Sequence, residues 1–173
     1  QQGGRFILLN VYGPWEATWR RHGFEASLMD MAADPGWMRD MFRAHTDLVI
    51  ETLEVAAGYG IVPDGLFLIE DLGMNRGTFY SPHTYQTTLF PEHRRLGDYV
   101  RAHGMRYFIH TDGDIRTFIP RLIEAGIQVL QPLEAKAGLD VRQLKPQYGT
   151  DLAYMGNIDV RKMSASPAEL EDE

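Results

Sequence analysis

The chain has 173 residues, of which 44% are hydrophobic and 24% charged, with a net charge of −7 at pH 7 and no cysteine. The missing cysteines exclude a disulfide scaffold and any thiolate metal site, and the acidic balance argues against nucleic acid as the main partner, which would need a basic face. No apolar run approaches the roughly 18 residues a membrane helix requires, so a cytoplasmic, single α/β domain over residues 1–173 is expected.

Taken in chain order, five short apolar runs alternate with helical stretches. Residues 5–12 (RFILLNVY) read as a first strand, stopped by Gly13-Pro14. Helical pattern covers residues 24–33. A longer helix over 36–57 follows, with Asp34 as its N-cap and Pro35 at the first position. Met38, Met41, Phe42, His45, Leu48, Val49, Thr52 and Val55 fall at helical spacing along it, and Gly58 and Gly60 end it.

Residues 65–71 (GLFLIED) read as the second strand. A helical region from Ser81-Pro82 to His103-Gly104 follows, interrupted at Pro91. Residues 105–110 (MRYFIH) read as the third strand, with a helix over 115–125 closed by Gly126. Residues 127–131 (IQVLQ) are the fourth strand, 140–148 a short helix and 151–155 (DLAYM) the fifth strand. The last residues read as the start of a helix, capped by Ser166-Pro167.

A βαβα repeat with strands apolar throughout implies a parallel sheet buried on both faces. Two architectures use that pattern, a doubly wound sheet and a (β/α)8 barrel. No G-x-G-x-x-G follows any strand, which removes the usual dinucleotide signal. The opening Gln-Gln-Gly-Gly-Arg-Phe has neither a signal-peptide build nor an initiator methionine, so a piece of a longer chain is expected.

The strand ends carry the chemistry. They deliver Asn10 and Tyr12, Glu70-Asp71, His110-Thr111-Asp112-Gly113-Asp114, Gln131 with Glu134, and Asn157 with Asp159. In parallel α/β folds these ends share one face, where sites are built. His110, Asp112 and Asp71 are the candidate catalytic residues, and Glu70, Arg76, Gln131, Glu134 and Asn157 the candidate substrate contacts.

His110 and Asp112 stand two apart, so their side chains point the same way. Three chemistries fit. One is an Asp-oriented His as acid/base; another is a His/carboxylate metal site completed by Glu70, Asp71 or Glu134; the third is hydrogen bonding to a polar substrate. The plainer reading is that Asp112 or Asp114 caps the following helix.

The loop at 72–82 (LGMNRGTFYSP) has the length of a functional lid, and its Arg76 could clamp a carboxylate or phosphate. Trp15, Trp19 and Phe24 read as helix-to-sheet packing. His22, His45, His93 and His103, on helices or flanking turns, read as solvated or core residues.

The blocks GPWEATWRRHGFEASLMDMAADP, IEDLGMNRGTFYSP, FIHTDGDI, LIEAGIQVLQPLEAKAGLD and LKPQYGTDLAYMGNID, in this order, resemble the uroporphyrinogen decarboxylase superfamily. The resemblance covers nearly the whole chain and implies a (β/α)8 TIM barrel. This chain would supply about five βα units of it, a partial barrel whose open edge strands favour flanking chain or a homo-oligomer.

The superfamily's implied chemistries are two. One branch decarboxylates uroporphyrinogen in porphyrin biosynthesis without a cofactor. The other comprises methyltransferases that work with a corrinoid partner and hold zinc through His-x-Cys plus a later Cys. Pro14-Trp15 matches the decarboxylase's Pro-Trp block, but the tyrosine expected a few residues on is replaced at or near Arg20. His110 matches the methyltransferases' zinc histidine, whereas Asp112 stands in place of the cysteine.

The IEDLG…SP and HTDGDI blocks are closer to the methyltransferase-like branch. The resemblance therefore implies a methyltransferase-like enzyme acting with a corrinoid or a thiol methyl acceptor. Uroporphyrinogen decarboxylase is the alternative, and a non-catalytic tetrapyrrole-binding module a further one. A divalent metal, zinc or a harder ion, would be held first by His110 and Asp112.

Overall fold

Each apolar run becomes a parallel strand, and each strand lies beside the one before it in a computed structural model describing residues 4–163 and 166. The sheet contains β1 (Leu8–Tyr12), β2 (Gly65–Ile69), β5 (Arg106–His110), β6 (Val129–Gln131) and β7 (Ala153–Tyr154), in that order. Strands laid down in chain order are the barrel arrangement. A doubly wound sheet would reverse direction at a switch point.

Around the sheet lie α1 (Pro14–His22), α2 (Phe24–Ala33), α3 (Pro35–Gly58), α4 (Pro82–Thr88), α5 (Phe90–Ala102), α6 (Ile119–Glu124) and α7 (Val141–Tyr148). Between β2 and α4 runs a small antiparallel hairpin, β3 (Gly73–Met74) and β4 (Gly77–Thr78). The architecture is a partial TIM-barrel-like fold. No helix among the described residues is long and apolar enough to cross a membrane.

Burial alternates along the central strands. Leu66, Leu68, Tyr107 and Ile109 are fully buried beneath the helices, and each such leucine contributes roughly 2 kcal/mol to the core. Phe67, Ile69, Phe108 and His110 face the other way and are only half-buried. Strands buried on both faces were expected. Here helices cover one face, and the inner face stays partly open among the described residues. Register places Tyr12, Ile69, His110 and Gln131 in one row across that inner face.

Several sequence expectations are corrected. Gly13-Pro14 starts a helix rather than simply ending a strand: Pro14 takes the first helical position, with Glu16 in the first turn and Arg20, Arg21 and His22 in the last. The helix expected from residue 115 begins at Ile119, because Asp114 folds back on Arg116 in a turn. The expected loop over 72–82 contains the hairpin.

The buried stripe of α3 is Met38, Phe42, Thr46, Val49 and Leu53, while Leu48 and Val55 are exposed. Asp34 and Pro35 start α3 as expected, with the Asp34 carboxylate accepting from the Trp37 N–H. The helix expected at Ser166-Pro167 lies outside the described residues.

Candidate active site

The C-terminal ends of β2 and β5 bring Asp71, His110 and Asp112 together, one ligating atom from each lying within 4.8 Å of the others. His110 closes β5 on the inner face. Its Nδ1 meets Oε1 of Gln131, the neighbouring residue on β6, at 2.5 Å. With the amide oxygen as acceptor, Nδ1–H donates to it, and Nε2 is the nitrogen turned toward the cluster. Oδ1 of Asp71 stands 3.6 Å from that Nε2 and also accepts the backbone N–H of Asp112 at 3.0 Å.

Three carboxylates crowd this corner. Partial burial raises the carboxyl of Asp112 above the usual range, and the charges of Asp71 and Glu134 push it further, with His110 and Lys136 opposing. Glu134 accepts the Gly113 N–H at 2.8 Å and pairs with Lys136 at 2.6 Å. Asp114, not Asp112, caps the turn leading to α6, by accepting the Arg116 N–H, which leaves Asp112 free for the cluster.

A cleft of about 510 Å³ adjoins the cluster, walled by hairpin residues 73–76 on one side and by Asp112, Glu134 and Lys136 on the other. The walls are fastened to each other. The N–H of Asp114 donates to the Met74 carbonyl, and the N–H of Leu72 to the Thr111 hydroxyl. Gly113 has a φ of +86°, and a Cβ there would lie 2.3 Å from the Gly73 carbonyl carbon. That position closes only around glycine.

Asp71, His110, Asp112, Gln131 and Glu134 are thus gathered in one place, and Arg76 stands exposed in the cleft wall. Two other expected substrate contacts stand elsewhere. Glu70 is fully buried on the helix side of the sheet, because strand alternation turns it opposite to Asp71. Its carboxylate accepts the N–H groups of Trp15 and Glu16 at the start of α1, at 3.0 and 2.8 Å. Gly13 makes room for it, since a Cβ there would lie 2.3 Å from the Glu70 carboxyl carbon.

Asn157, at a φ of +66°, spends its amide on backbone: it accepts from Val141 N–H and donates to the carbonyls of Leu133 and Leu139. It braces the loop that carries Glu134. Thr111 and Lys136 were not singled out from the sequence. The signal for Lys136 was its i+2 spacing from Glu134; Thr111 was marked only by standing between His110 and Asp112 at the strand end.

The donor set fits a divalent cation. One imidazole and two carboxylates converge, the second imidazole nitrogen is already oriented by an amide, and mutual repulsion among the acids awaits a positive charge. It is an oxygen-rich set, harder than a His/Cys/Cys site.

A family model described as Uroporphyrinogen decarboxylase (URO-D) matches residues 7–173. Among solved structures, a methyltransferase from Methanosarcina mazei is similar with a TM-score of 0.73 at 15% sequence identity. The match covers 90% of this chain and 44% of that one, so this chain spans less than half the length of that structure. At such identity the likeness concerns the fold alone. No curated protein matches the chain.

Proposed function

The chain belongs to the uroporphyrinogen decarboxylase family, and from that premise we propose that it serves a methyl-transfer enzyme that moves a methyl group between a corrinoid and a thiol. The observation that carries this reading is the convergence of Asp71, His110 and Asp112 at the strand ends beside the cleft. A divalent cation held by these three residues would supply a Lewis acid that lowers the pKa of a thiol.

The chain's own groups do the rest. Gln131 holds Nδ1 of His110, so the ring keeps one orientation and one tautomer. Asp71 fixes the backbone of Asp112 as well as facing the imidazole. Glu134 and the hairpin hold Gly113, which sets the position of the residue before it. Arg76 and Lys136 offer positive charge to an anionic substituent of the substrate. A bound corrinoid would supply the methyl group, and the thiol held at the cation would release its proton to solvent and take the methyl on sulfur.

Those two cations also favour a second reading, decarboxylation of uroporphyrinogen, whose carboxylate arms they suit. Incubation with methylcobalamin, 2-mercaptoethanol and Zn²⁺ or Mn²⁺ tests the first reading. Loss of the methylcobalamin absorption, together with methyl thioether detected by mass spectrometry, is the expected result. Coproporphyrinogen formed from uroporphyrinogen, with methylcobalamin unchanged, would replace it with the second. Binding of a tetrapyrrole without turnover of either substrate would reduce the protein to a binding module.

A further inference from the structure

Directly behind the candidate site, on the helix side of the sheet, lies a buried polar chain that none of the chemistry above uses. Tyr85 on α4 meets Nδ1 of His93 on α5 at 2.9 Å, and Nε2 of His93 meets Oε1 of Glu70 at 3.0 Å. Tyr85, His93 and Glu70 are all fully buried. Glu70 in turn accepts the first N–H groups of α1. Its own N–H donates to the His110 carbonyl at 2.9 Å, extending the β2–β5 ladder by one residue.

Burying a carboxylate and an imidazole is expensive, and well-packed apolar residues of the same volume would hold a core together as well or better. What such a pair provides is a fixed position. Glu70 immediately precedes Asp71, and the two point to opposite faces of the strand end. Holding the Glu70 carboxylate from α1, α4 and α5 therefore fixes the backbone from which Asp71 reaches His110 and the Asp112 N–H.

We propose that Tyr85, His93 and Glu70 are positioning residues that set Asp71 against His110 and Asp112 from behind the sheet. The inference rests on the metal-binding reading of that cluster only for its effect on affinity, and its effect on Asp71 stands apart from any metal. His110 is held across the sheet by Gln131, whereas Asp71, just beyond β2, accepts only from the Asp112 N–H among the described residues. The buried chain supplies the support that its own side chain lacks.

The test uses two variants of the protein, Tyr85→Phe and His93→Ala, the first removing a single hydroxyl and so retaining the packing. Two quantities are read well below the melting temperature. The hydrogen-exchange rate of the Asp112 amide, whose acceptor is Asp71, should rise about ten-fold in His93→Ala and by a smaller factor in Tyr85→Phe. Zn²⁺ affinity by calorimetry should fall in the same order, by about ten-fold in His93→Ala.

A network that only stabilises the fold would lower the melting temperature, leave Zn²⁺ affinity unchanged, and speed exchange of the Asp112 amide no more than that of the core strand amides. Asp112 exchange at the wild-type rate in a folded variant overturns the proposal. Should His93→Ala fail to fold, Tyr85→Phe alone decides. Wild-type protein that binds no Zn²⁺ overturns the metal reading instead, and the exchange rates still judge the positioning role.

Discussion

Gln131 and His110 lie opposite each other on adjacent strands, and the amide oxygen of one meets Nδ1 of the other at 2.5 Å. The pair assigns the two imidazole nitrogens separate tasks: one is spent on the scaffold, the other is offered to the cluster. Gln131→Ala should therefore weaken metal binding by about ten-fold or more with a small change in stability, since Gln131 is only half-buried. Calorimetric titration with Zn²⁺ beside a thermal melt checks this. Unchanged affinity would separate His110 from the cation.

A donor set of one nitrogen and several oxygens holds zinc less firmly than thiolates do. Dialysis against a mild chelator should strip any metal from the protein, and Mn²⁺ should restore binding alongside Zn²⁺. Asp112→Ala should abolish that binding while costing about 1 kcal/mol or less in stability. Elemental analysis before and after dialysis gives the answer; stoichiometric zinc surviving the chelator would contradict the proposed ligands.

Gly113→Ala should destabilise the protein by about 2 kcal/mol, from strain at positive φ, with a further cost from displacing the hairpin. Urea unfolding measures the loss. A midpoint equal to that of the wild type would show that Gly73 and Met74 are not packed where the structure puts them.

Acid should weaken the fold in part through Asp159. Its hydrogen bonds from Arg161 hold the carboxyl down to about 2, below the ordinary value. A depressed folded pKa contributes stability that is fully present above about pH 4 and is lost as pH falls toward about 2. Melts of wild type and Asp159→Asn should differ by a constant amount above that window and converge at its acid end. A gap independent of pH would remove Asp159 from the acid transition.

The barrel order was legible because each strand is a short apolar run followed by polar residues. The pairing of His110 with Asp112 was legible from their i, i+2 spacing. Which face of a strand looks inward was not, because Leu66, Phe67, Leu68 and Ile69 are all apolar and mark no side. Glu70 and Asp71 were therefore both placed on the site face, although they point to opposite layers. Gly13-Pro14 read only as a strand stop, although the same proline also suits the first position of a helix, which is where α1 uses it. Asn157 looked like a rim residue because nothing local announces its left-handed backbone.

The fastening of the hairpin to the β5 loop has a practical consequence for spectroscopy. Met74 contributes its carbonyl to Asp114 while half of its surface stays exposed in the cleft wall. Its methyl group is thus a natural reporter, tied to the acidic cluster by a single peptide hydrogen bond. In protein carrying ¹³C-labelled methionine methyls, that resonance senses both what enters the cleft and any shift of the segment bearing Asp112, with no foreign label attached.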